Sequence, residues 1–95
     1  MAMHSPEIKS FIRDHSALFW YIPEHKKEDI SEAVMVETIL NYGDLESVKK
    51  LFSLIGIKKT AAIFFESLGQ SERKRGNYHE LTIHFFTLFF KRYAS

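Results

Sequence analysis

The chain has no cysteine. That excludes a disulfide framework, a thiol nucleophile and a thiolate zinc site, and it fits a reducing, cytoplasmic setting. Proline and glycine are scarce, two and four in 95 residues, so there are few obligatory breaks. No apolar run approaches the ~18 residues a spanning helix needs, and residues 1–13 hold no stretch long enough for a signal peptide. Net charge is nearly absent too, at +1.

What is present is apolar and aromatic. Hydrophobic residues make up 45% and aromatics 15%, including nine Phe, four Tyr and one Trp, which excludes a disordered chain. A chain of this size folds as one domain, residues 1–95, and buries ~65% of the surface its unfolded form exposes. The small net charge hides a division. Residues 1–47 carry four basic and nine acidic groups (−5), and residues 48–95 carry nine basic and three acidic (+6). Such a split either supplies an electropositive surface for nucleic acid or cancels when the halves pack together.

The spacing predicts helices almost throughout. Ser5-Pro6-Glu7 reads as a cap, a proline at the first helical position and an acid near the positive end of the dipole, which opens a helix over 6–14. The apolar run 17–22 has no decisive period, and 23–28 reads as a charged loop. Asp29 and Glu32 have capping-box spacing for a second helix. That helix gathers Ala33, Met35, Val36, Ile39, Leu40 and Tyr42 on one face, leaves Glu37, Thr38 and Asn41 on the other, and stops at Gly43. Asp44 caps a third, strongly amphipathic helix that Gly56 ends. A fourth helix buries Ala61, Phe64, Phe65 and Leu68, exposes Lys59, Thr60, Glu66 and Ser67, and stops at Gly69. After a basic loop, Asn77 and Glu80 form a second capping box for a helix over 78–93. Its polar stripe is Glu80, His84, Thr87 and Lys91, and nearly everything else from 81 to 90 is apolar. A helix apolar around most of its circumference must be surrounded, at the centre of a bundle or at an interface. The expected fold is therefore an all-α bundle of four to five helices with a long apolar C-terminal helix.

No pattern points to catalysis, a cofactor or a metal. The histidines lie at 4, 15, 25, 79 and 84, and the five-residue step from His79 to His84 puts them about 140° apart on a helix, not on one face. The carboxylates sit at helix starts and polar faces, no glycine elbow activates a serine, and no glycine-rich loop cradles phosphate, so no small-molecule substrate is evident.

Two interaction surfaces remain. The first is aromatic: Trp20 with Phe85, Phe86, Phe89 and Phe90, more apolar area than a small bundle encloses, suited to self-association as a homodimer or to a partner protein. The second is basic. Helices three and four, joined at Gly56-Ile57, have the outline of a helix-turn-helix with Lys58, Lys59 and Thr60 opening the second helix, although Ile63 and Glu66 continue its face. Arg73-Lys74-Arg75 in the following loop is placed to grip the phosphates of a nucleic acid.

The segments Leu18-Phe19-Trp20-Tyr21-Ile22-Pro23 and Val36-Glu37-Thr38-Ile39-Leu40-Asn41-Tyr42-Gly43-Asp44-Leu45-Glu46 carry a resemblance. Over roughly residues 18–68 the chain resembles a family of small, uncharacterised, all-helical prokaryotic proteins associated with toxin–antitoxin-like loci, beside nucleotidyltransferase-type toxins. The resemblance implies an antitoxin-like, non-enzymatic role and no catalytic residues. It ends after Leu68, where the family continues with a basic loop and a short terminal helix and this chain has a long Phe-rich one.

Overall fold

Capping side chains and glycines set most of the helix boundaries. The computed structural model describes residues 5–70 and 78–94. In α1 (Pro6–Asp14) the Ser5 hydroxyl accepts the Ile8 amide at 3.3 Å, the cap expected from the sequence. Two 3-10 helices follow, Ser16–Phe19 and Glu24–Asp29. Then come α2 (Glu32–Tyr42), α3 (Leu45–Ile55), α4 (Ile57–Gln70) and α5 (Glu80–Tyr93). No strand occurs among the described residues, and the all-α class stands. The radius of gyration, 12.7 Å, is close to the ~12 Å of a compact globule of this length.

Several boundaries differ from expectation. The α2 cap is Ser31, whose hydroxyl accepts the Val34 amide at 3.2 Å, while Asp29 closes the preceding 3-10 helix. The helix α4 runs through Gly69 to Gln70 instead of stopping there. The residue preceding α5 is His79, whose amide donates to the Asn41 side-chain oxygen at 3.1 Å, and the expected capping residue Asn77 lies outside the described residues. At Asp44 expectation and structure agree. Its carboxylate accepts both the amide and the hydroxyl of Ser47 at 2.8 Å, and these bonds, the amide first, hold its carboxyl below the usual range.

Two glycines make the corners around α3. Gly56 has φ of +90°, so α4 begins one residue after α3 ends. Gly43 is extended rather than left-handed, and its requirement is room: a Cβ there would stand 2.7 Å from the Ile39 carbonyl oxygen.

The centre of the bundle is α2, not the C-terminal helix. It buries Met35, Val36, Thr38, Ile39 and Leu40 and packs against α3, α4 and the first 3-10 helix. Helix α5 lies to one side, on α4, and buries only Phe86 and Phe90. The reason is that the shorter α2 already occupies the middle, so α5 covers one side and leaves its other side in water. The ambiguous 17–22 run is short and 3-10 because Phe19 inserts into the core while Trp20 stays exposed.

Three hydroxyls expected at the surface are buried, each against a specific neighbour. Thr38 shares a hydrogen bond with the Tyr21 hydroxyl. Thr60 donates to the Gly56 carbonyl at 2.7 Å and thereby closes the α3–α4 corner. Ser67 sits beside the buried Tyr78 phenol. Conversely Phe65, expected in the core, is exposed. Lys27, in the segment expected as a charged loop, is buried, and its ammonium donates to the Ser16 carbonyl at 3.0 Å and to Glu24 at 2.8 Å. A buried ammonium requires such partners.

Candidate functional site

The outer side of α5 carries the largest concentration of uncovered apolar side chains. At ~100° per residue, Leu81, Phe85, Leu88 and Arg92 fall within about 60° of one another. That line points away from the core, because Phe86 and Phe90 occupy the inward side. Leu81 is 83% exposed, and Phe85 and Leu88 are each 58% exposed. The expected polar stripe, Glu80, His84, Thr87 and Lys91, is only one flank of this outward surface and not its centre.

The five aromatic residues expected at an interface therefore divide. Phe86, 6% exposed, and Phe90, 1% exposed, are core residues and are withdrawn from the surface. Phe64 of α4 meets them at ring-centroid distances of 6.3 and 5.4 Å and meets Tyr78 at 5.2 Å. Phe85 and Phe89 belong to a second arrangement. Phe52 of α3 stacks on Phe89 at 5.7 Å with planes 16° apart, and Phe89 stacks on Phe85 at 6.0 Å and 19°. Three nearly parallel rings thus run from the α3–α5 seam out to the exposed line. Offset stacks of this kind hold a ring's orientation, so Phe85 is presented and not loose. Tyr93 continues the row, 4.9 Å from Phe89.

A groove of about 370 Å³ lies along these rings, between α5 and the start of α3. Leu45, Val48, Phe52, Phe85 and Phe89 form its apolar wall, with Asp44 and Lys49 among its polar members. Leu45, the first residue of α3, is exposed across from Phe85. Sequence periodicity places Leu45 with the buried half of α3. The packing of α3 covers that half only from Ser47 onward.

Trp20 is exposed but stands apart from this surface. Its one ring contact among the described residues is Tyr21, edge-on at 5.7 Å, and it lines neither the groove nor the α5 face.

The basic residues are placed less favourably for nucleic acid. Lys58 and Lys59 are exposed in the first turn of α4. Lys59 pairs with Glu32 at 3.0 Å, and the third residue of the expected reading surface, Thr60, points inward. The exposed side of α4 continues with Ala62, Phe65 and Glu66, which offers phosphates an acid and an aromatic ring. Arg73, Lys74 and Arg75 lie outside the described residues. Among the described residues no cluster of three His, Asp or Glu side chains could hold a metal ion, and no helix is long and apolar enough to cross a membrane.

Burial perturbs two phenols. The Tyr78 hydroxyl is buried without a completed hydrogen bond among the described residues, and desolvation pushes its pKa far above the usual tyrosine value. Tyr21 is raised as well, mainly by burial, with its bond to Thr38 acting in the opposite direction. Neither borders the α5 face.

No protein-family model, curated protein or solved structure matches this chain, so its functional reading rests on the residues themselves.

Proposed function

We propose that this protein is a non-enzymatic interaction module that works through the outward face of α5 and the adjoining α3–α5 groove. One observation carries the reading: Leu81, Phe85 and Leu88 occupy the line of α5 that points most directly into solvent. Single exposed apolar residues are ordinary, but a contiguous line anchored at Phe85 by stacked rings is the mark of a contact surface. The role is antitoxin-like in the sense the sequence resemblance implies, acting by association and not by turnover.

The test compares neighbouring substitutions. Phe85→Asp and Leu88→Asp should keep the helical circular-dichroism signal and melt within a few degrees of the parent chain, because their side chains lie outside the core. Phe86→Asp should unfold it, because an unpaired charge would enter the cluster around Phe64. If Phe85→Asp unfolds the chain as fully as Phe86→Asp, then Phe85 is structural and the reading is wrong.

A further inference from the structure

We infer that the occupant of the α5 face is a second copy of this chain, docked with its own α5 antiparallel to the first. The inference rests on the interaction reading above and names the partner.

The spacing of Leu81, Phe85, Leu88 and Arg92 is four, three and four, the repeat by which one helix seats against another along a narrow seam. The seam is self-complementary under a twofold axis between Phe85 and Leu88. Phe85 of one copy then faces Leu88 of the other, and Leu81 faces Arg92. Charge selects this orientation. The first turn of α5 carries Glu80, and the last turn carries Lys91 and Arg92. Antiparallel pairing lays the Arg92 stem over Leu81 of the other copy and brings its guanidinium to that copy's Glu80. Parallel pairing would set Glu80 against Glu80 and Arg92 against Arg92. The helix dipoles favour the same choice. In the single chain the Arg92 guanidinium rests 5.5 Å from the centre of the Tyr93 ring, a contact that pairing would exchange for Glu80.

The size of the seam sets the expected strength. Fourteen residues make a helix ~21 Å long and ~10 Å wide, well short of the ~800 Å² per partner of a standard stable interface even when Leu45 adds to it. The pair should accordingly be weak and transient.

Because the chain has no cysteine, introduced thiols report orientation without background. Wild-type mass by light scattering should rise from 11.2 kDa toward twice that value between about 10 µM and about 1 mM, and Phe85→Asp should stay monomeric throughout. Leu81→Cys and Arg92→Cys, carried on chains of different length and mixed under mild oxidation, should form the mixed disulfide at least tenfold faster than either forms a disulfide with itself. Equal or faster self-linking of Leu81→Cys overturns the antiparallel pair. A wild type that stays monomeric across the range overturns the second copy altogether. In that case anilinonaphthalene sulfonate separates the two claims. Dye fluorescence that Phe85→Asp abolishes leaves the interaction face standing for another partner, and no dye binding removes both.

Discussion

Phe85 and Phe86 are neighbours in sequence, their rings meet edge to face at 4.9 Å, and the surface of the protein passes between them. One ring completes the cluster around Phe64, and the other tops the stack that begins at Phe52. Truncation should separate their roles. Phe86→Ala should cost ~3–5 kcal/mol through the cavity it leaves. Phe85→Ala should change monomer stability by less than ~1 kcal/mol. Urea denaturation at low protein concentration measures both.

The arm that carries Trp20 is held by two polar contacts, Tyr21 to Thr38 and Lys27 to the Ser16 carbonyl. Tyr21→Phe should cost ~1 kcal/mol, the net worth of one hydrogen bond, because it leaves the Thr38 hydroxyl buried without its partner. Lys27→Ala should cost more, ~1–3 kcal/mol, since it removes a charged hydrogen bond to the Ser16 carbonyl and the packed stem. The fluorescence of Trp20, the one tryptophan in the chain, should report loosening of the arm in Lys27→Ala.

Gly56 and Gly43 should respond differently to alanine. At Gly56 a Cβ meets nothing within 4 Å, so the cost is the backbone conformation itself, φ +90° with ψ 146°, a region all but reserved for glycine, ~1–3 kcal/mol. At Gly43 the backbone is ordinary but the Cβ would stand 2.7 Å from the Ile39 carbonyl oxygen, so the α2–α3 corner must shift. Thermal melts of the two variants, with hydrogen exchange at the Gly43 amide, distinguish strain from displacement.

Much of the fold is legible because its signals are local. Ser5 and Asp44 announce α1 and α3 by chemistry confined to four residues, and the glycine at 56 marks its corner directly. Thr38 is not legible: its burial depends on Tyr21, 17 residues earlier, which no periodicity reveals. The same limit applies to α5. With apolar residues on nearly every side, its sequence does not say which way it faces, and only its packing on α4 separates Phe86 and Phe90 from Phe85 and Leu88. The aromatic surplus of the site can be read from composition, but its outward line cannot.

Alkaline stability should follow the buried phenol of Tyr78. The pKa of Tyr78 is raised in the folded state, so the native chain holds that proton more tightly than the unfolded chain does. The associated stability is fully present below pH ~10 and declines as pH rises above it. Tyr78→Phe should flatten this decline and should be neutral or stabilising near pH 7, since the hydroxyl it removes has no completed bond among the described residues. Melting temperature between about pH 7 and about pH 11 checks both.

Replacing Arg73, Lys74 and Arg75 by Gln should leave self-association unchanged, because the pairing is assigned to Leu81, Phe85, Leu88 and Arg92. If these residues grip nucleic acid, the same change should weaken binding and reduce its salt slope by up to ~3. Titration of duplex DNA at several salt concentrations reads that slope.

The most direct test of the central claim is the melting temperature as a function of protein concentration, for the wild type beside Phe85→Asp. If α5 is covered by a second copy, mass action stabilises each wild-type chain by ~1–2 kcal/mol over a hundredfold rise in concentration above its dissociation constant, half the single-ligand value because two chains share one association. Its melting temperature should then climb by several degrees while that of Phe85→Asp stays flat. A wild-type melting temperature that is flat over the same range and equal to that of Phe85→Asp would contradict the account.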